Sequence, residues 1–98
     1  MKITCENNDG KLLIALEGRL NPQTAPELER TLEENLPGAS SLTFDLAGLE
    51  YISSAGLRVF LKARKTIKKR DAIVLLHVNE DIMEIFEMTG FTEFMKIE

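Results

Sequence analysis

The sequence holds one cysteine, Cys5, one histidine, His77, and no tryptophan. A lone thiol excludes an intrachain disulfide, and one thiol with one imidazole leaves no Cys/His metal cluster. A single tyrosine gives little to stack on nucleobases. Positive charge is also short: twelve Lys and Arg face sixteen Asp and Glu, for a net charge of -4 and a pI near 5.0. That balance argues against a general polyanion binder, whose affinity comes from clustered cations, so no direct nucleic-acid partner is expected. No apolar run approaches the ~20 residues of a membrane span, and no membrane insertion is expected. Met1–Glu6 turns polar at once, where an export signal would be apolar. With the free thiol and the acidic balance, this points to the cytoplasm. Neither a Walker loop nor a GxGxxG occurs, so no nucleotide, metal or other cofactor is expected.

What is present suits a folded domain. The 98 residues are 44% hydrophobic and 29% charged, enough for one core and too few for two, so residues 1–98 are read as a single domain. Ile3 and Cys5 alternate with Lys2, Thr4 and Glu6, as in a half-buried strand with Cys5 inward. Asn7-Asn8-Asp9-Gly10 supplies a tight hairpin turn. Leu12–Leu16 is apolar on both faces, which predicts a central strand covered on both sides. Gly18–Pro22 breaks that pattern. Thr24-Ala25-Pro26-Glu27 reads as a capping box, with Thr24 as N-cap, before a helix carrying Leu28, Leu32 and Leu36 and ended by Pro37-Gly38.

Leu42, Phe44 and Leu46 alternate as a further strand, and Ala47–Ser53 reads as a loop. A long helix is predicted from near Ser54 to about Arg70, with Gly56, Phe60, Ala63 and Ile67 on its apolar face. Ala72–Leu76 is short, apolar and bounded by charge, as a buried strand is. Asn79 caps a last helix with Ile82, Ile85 and Phe86 inward and Gly90 beyond its end. Phe94–Ile97 completes the pattern as a short edge strand. The order β-β-α-β-α-β-α-(β) predicts an α/β fold. It has a mixed sheet of four to five strands that opens with an antiparallel hairpin and packs with three main helices.

The chemistry concentrates at Ser53-Ser54-Ala55-Gly56, where a strand-loop unit enters a helix. A hydroxyl at a helix start sits beside free backbone N–H groups and the positive end of the dipole. A phosphate added there would bring about 1.5 to 2 negative charges to a place that favours them, leaving the fold intact while changing what the surface can bind. Against this stands the simpler role of either serine as a helix cap. Ala55 and Gly56 would let another surface approach closely, or Gly56 would relieve packing against the sheet.

The run D-L-A-G-L-E-Y-I-S-S-A-G-L-R-V-F-L from Asp45, with G-R-L-N-P-Q-T-A-P-E-L from Gly18 to Leu28, resembles the STAS domain of the bacterial anti-sigma factor antagonist family. The resemblance spans nearly the whole chain and implies a STAS-like sheet. It also implies a protein that is not an enzyme but the substrate of one. In that family the serine two places before the helix glycine is phosphorylated by an anti-sigma factor serine kinase, which makes Ser54 the site and Ser53 the runner-up. The unphosphorylated form binds the kinase and releases a sigma factor, and a PP2C-type phosphatase resets the switch. The residue before the phosphoserine is often Asp in the family and is Ser53 here, both versions occurring, and this chain carries Asn21 where Asp is usual. The partner-binding set is read as Asn21, Thr24, Asp45, Ser53, Ala55, Gly56 and Arg58, with Asp45 bordering the phosphorylation site. The other reading is an unmodified STAS scaffold or accessory subunit of a transport or stress-signalling complex.

The remaining residues have plainer readings. Seven of the twelve bases lie between Arg58 and Arg70, a solvated helix face rather than a dedicated docking patch. His77 has no companion histidine and reads as a strand-end residue. Met83 fills core, and Met88 is open to a contact role. A serine hydrolase built on Ser54 would need a base and an orienting acid beside it, which a single histidine makes a poor prospect.

Overall fold

The computed structural model describes residues 1–69, 72–93 and 95–98. Strands β1 (Lys2–Asn8) and β2 (Lys11–Leu20) form the expected antiparallel hairpin. Its turn residues Asp9 and Gly10 both have positive φ, 53° and 86°, as the tightest hairpin connection requires. Helix α1 (Ala25–Asn35), strand β3 (Ser41–Ile52), helix α2 (Ser54–Thr66), strand β4 (Ile73–Leu76) and helix α3 (Glu80–Met88) follow. A 3₁₀ turn at Phe91–Glu93 leads into strand β5 (Lys96–Ile97). The predicted fold class is thus the observed one: a five-stranded mixed sheet, ordered β1-β2-β3-β4-β5, with three helices.

Because the strand order never reverses, each right-handed parallel crossover lays its helix on the same face. That corrects the expectation that β2 is covered on both sides. Leu12, Ile14 and Leu16 are buried under the helices, while Leu13 and Ala15 on the other face stay half-exposed. Cys5 faces inward as expected, paired with Ile14 and packed against the core, but it is only half-buried because β1 is the edge of the sheet.

Two strands run further than periodicity suggests. β2 continues to Leu20 through Gly18, and β3 continues to Ile52 through the residues read as a loop. In β3 the physical reason is a pair of register shifts, opposite Ala15/Glu17 and Gly18/Arg19, each adding one residue to β3 and breaking its alternation while the strands stay paired. β2 keeps its alternation to Leu20, with Gly18 at an inward position. Gly18, at φ +106°, takes a backbone shape that side-chain-bearing residues avoid. Helix α2 is shorter than expected, ending at Thr66 with Ile67 as C-cap; Arg70 lies outside the described residues. The last strand begins at Lys96, and Phe94 also lies outside them.

The capping box does not form as read. Thr24 stands at the N-cap position, but its backbone is helical and its hydroxyl makes no cap bond. It donates instead to the Arg19 carbonyl at 2.8 Å. Asn21 caps from one turn earlier, its Oδ1 accepting from Gln23 N and Thr24 N at 3.0 Å each. Asn79 caps α3 as expected, its Oδ1 accepting from Ile82 N at 2.9 Å.

A file of phenylalanines ties the layers together. Phe44 of β3 stacks on Phe60 of α2 at 4.4 Å between centroids, Phe60 meets Phe86 of α3 at 6.0 Å, and Phe86 meets Phe91 at 5.8 Å. Each such pair adds about 0.5–1.5 kcal/mol beyond the area it buries. Phe60, fully buried at the middle of the file, should therefore be its most sensitive member. Phe60→Ala is expected to cost about 3–5 kcal/mol, measured as a lower urea midpoint with an unchanged slope.

Candidate functional site

Parallel pairing brings the carboxyl ends of β2 and β3 side by side, with Leu20 opposite Ile52. β2 hands over to α1 through Asn21–Thr24, and β3 hands over to α2 through Ser53. The two connections are stitched together, since Ser53 N donates to the Leu20 carbonyl at 2.8 Å. Ligand and partner sites in such sheets gather at this end, where loops rather than packing decide the side chains.

The geometry separates the two serines. Ser53 has extended backbone (φ -95°, ψ 174°), and its Oγ accepts from Gly56 N at 3.3 Å, so it is the N-cap of α2 and half-buried. Ser54 is the first helical residue and exposed, and its hydroxyl makes no hydrogen bond among the described residues. Arg58, also exposed, lies one helical turn on, at the spacing that puts two side chains on one face. Ala55 is half-buried between them.

Gly56 is buried, so it offers nothing to a partner's surface. A Cβ there would lie 2.7 Å from Leu20 Cδ2 and Cγ and 3.0 Å from Ile52 Cγ1. The residue is what lets the first turn of α2 rest on the sheet. Asn21 and Thr24 are half-buried and hold each other, Asn21 N donating to Thr24 Oγ1 at 2.9 Å. Both therefore sit at the serine end of the sheet, shaping the neighbouring turn.

Asp45 does not border the serines. β3 continues from it to Ile52, seven strand steps that span roughly 20 Å. Its Oδ1 lies 2.9 Å from His77 Nδ1 and accepts from Ala47 N at 3.1 Å. The hydrogen bond from His77, then that from Ala47, hold its carboxyl below the usual carboxylate range. His77, with a left-handed φ of 58°, is thereby placed with Asp45 and away from Ser54. No group of three His, Cys, Asp or Glu converges on a metal position among the described residues.

One feature of this sheet end escapes the sequence. Arg19 and Tyr51 face each other across β2 and β3, the guanidinium carbon 4.4 Å from the ring centroid. Tyr51 is 39% exposed. Its position falls in the stretch read as a loop, and the bulges remove the period-2 signal that would have assigned its face. At an exposed site such a cation–π contact is worth about 0.5–1 kcal/mol.

Comparison with known proteins places the family and the fold. The chain matches the STAS domain family over residues 2–98 and belongs to that family. It is 35% identical over 99 residues to BtrV of Bordetella bronchiseptica, named as a candidate anti-sigma factor antagonist, covering 99% of this chain and 85% of that protein. Among solved structures, an anti-sigma factor antagonist from Mycobacterium paratuberculosis shares the fold with a TM-score of 0.86 at 20% identity, covering 98% of this chain and 83% of the other. The Bacillus cell fate determinant SpoIIAA in its phosphorylated form shares it with a TM-score of 0.77 at 14% identity, covering 99% and 91%. Within the STAS family, the chain thus groups with the anti-sigma factor antagonists.

Two predictions test this anatomy. Ser53→Ala removes the cap of α2 and should destabilise the protein by about 0.5–2 kcal/mol, whereas Ser54→Ala should change stability by less than about 0.5 kcal/mol, both read from urea unfolding. The second concerns Asp45. A depressed folded-state pKa means that the folded protein binds fewer protons than the unfolded chain, so the stabilisation is complete above the ordinary carboxylate value of 3.8 and lost as pH falls through the lower folded value. Asp45→Asn should be less stable than wild type at pH 7, and the gap should close on acidification below about pH 4.

Proposed function

We propose that the chain is an anti-sigma factor antagonist whose binding is switched by phosphorylation of Ser54. Unphosphorylated, it binds an anti-sigma factor serine kinase in the cytoplasm and so releases a sigma factor; phosphorylated, it lets go. A PP2C-type phosphatase restores the binding form. In this reading the chain is a regulatory binding protein and supplies an acceptor hydroxyl rather than catalytic groups.

The observation that carries the proposal is the division of labour between neighbouring serines. Ser53 is engaged as a cap, while Ser54 stands exposed and unbonded at the first helical position. A phosphate on Ser54 would add about 1.5 to 2 negative charges at the positive end of the α2 dipole, an interaction worth about 0.3–1 kcal/mol. Arg58, one turn on, would contribute about 0.2–0.5 kcal/mol more. The modified protein would therefore keep its fold. A partner that buries the unmodified hydroxyl would instead have to desolvate a dianion or meet it with like charge, and the complex would dissociate. Asn21, Thr24, Ala55 and Arg58 border that contact in this reading, with Gly56 acting from beneath. SpoIIAA, which shares the fold, has been solved in a phosphorylated form, and this supports a switch of the same kind here.

The test is to incubate the protein with ATP and an anti-sigma factor serine kinase and to locate the phosphate by mass spectrometry. One phosphate is expected, absent from Ser54→Ala and retained in Ser53→Ala, with the modified protein losing kinase binding at unchanged or slightly higher thermal stability. A phosphate lost only in Ser53→Ala would move the switch by one residue. No phosphate with several such kinases would favour the unmodified scaffold.

A further inference from the structure

Helices α1 and α2 lie side by side on the sheet with a groove between them. It consists of two hollows of about 350 and 270 Å³ that meet at Glu29, Val59 and Lys62. The near hollow opens beside Pro22, Ala55 and Arg58 at the serine end, and the far one reaches Leu36 and Thr66. Its floor is apolar, but its walls are charged with opposite sign. α1 carries Glu27, Glu29, Glu33 and Glu34 against Arg30 alone, while α2 carries Arg58, Lys62, Arg64 and Lys65 and no acid. Among the described residues, Glu29 and Lys62 form an ion pair across the groove.

We infer that this face binds a second copy of the same chain, as a weak symmetric dimer with its two-fold axis running along the groove. The argument is charge complementarity. An unrelated partner would need one acidic and one basic edge at this spacing, and a second copy has both by construction. A two-fold axis parallel to the helices lays α1 of each copy over α2 of the other in the same direction. Glu27 of one copy then meets Arg58 of the other at the near end, and Glu33 meets Lys65 at the far end. All four side chains are exposed. Like-with-like stacking of the helices would instead set acid on acid and base on base.

Size sets the strength. Helices of 11 and 13 residues are about 16 and 20 Å long, and the pair is about 20 Å wide, so each copy contributes roughly 400 Å². That is below the ~1,200 Å² total of stable interfaces, so association belongs at high micromolar concentration. The near end includes Ala55 and Arg58, so the dimer occupies surface next to Ser54. The proposal does not depend on Ser54 being modified.

Sedimentation equilibrium tests it with wild type, an acidic-wall variant (Glu27→Lys with Glu33→Lys) and a basic-wall variant (Arg58→Glu with Lys65→Glu). Wild type should associate reversibly up to about 500 µM at low salt, and at least tenfold more weakly in about 0.5 M salt. Each variant alone should be monomeric, since its two walls now repel their counterparts. An equimolar mixture should restore association at near wild-type strength, which also shows that both variants are folded. Wild type that stays monomeric throughout, variants that associate as wild type does, or a mixture no stronger than its components would each overturn the inference.

Discussion

The site depends on one close contact, that of Gly56 with Leu20 and Ile52. All three are buried, and there is no room for a Cβ between the first turn of α2 and the sheet end. An alanine would gain about 1 kcal/mol in helix propensity. It would also drive a methyl to 2.7 Å from the fully buried side chain of Leu20. Overpacking of that kind costs about 1–3 kcal/mol, so crowding outweighs propensity. The contact sets the height and angle at which α2 leaves β3. With that angle fixed, Ser53 caps the helix and Ser54 points away from the core.

The constant direction of the strand order has two consequences. It puts every helix on one face, so α1 and α2 become neighbours running the same way, and it brings the β2 and β3 connections to one end of the sheet. The core then needs only one buried face, and the period-2 pattern in β2 reflects that: Leu12, Ile14 and Leu16 are hidden, Leu13 and Ala15 only partly. The phenylalanine file compensates for the single covered face by linking β3, α2, α3 and the following 3₁₀ turn in one column. Functional residues can therefore cluster at the strand ends without weakening the layer beneath.

Much of this was legible in the sequence because it rests on local chemistry. Asn79, the Asp9-Gly10 turn, the Leu28/Leu32/Leu36 stripe and the serine pair at a helix start each follow from short-range rules. What was not legible depends on pairing between distant segments. The bulges in β3 exist only because β2 and β3 hold each other, and they erase the alternation by which β3 past Ala47 would be recognised as strand. Extending β3 by those residues is what moves Asp45 away from the serines and into contact with His77, a residue 32 positions later. Arg19 and Tyr51 were hidden for the same reason. Thr24 shows a subtler failure: its type and spacing suit a cap, yet the Arg19 carbonyl captures its hydroxyl and Asn21 takes the capping role.

That exchange bears on how the site tolerates a change of charge. An Asp at position 21 would place a carboxylate at the start of α1, beside the connection that carries Ser54. Asn21 keeps the acceptor, since its Oδ1 still takes Gln23 N and Thr24 N, and it removes the negative charge. Ser53 likewise gives the start of α2 an uncharged oxygen, which accepts from Gly56 N. In both places the cap is an uncharged oxygen. Near Ser54 the helix dipole is thus left without a resident negative charge, and Arg58 has no acidic neighbour in the first turn. A phosphate arriving at Ser54 would be the first anion at this helix start, and it would meet N–H groups and a guanidinium rather than a competing carboxylate.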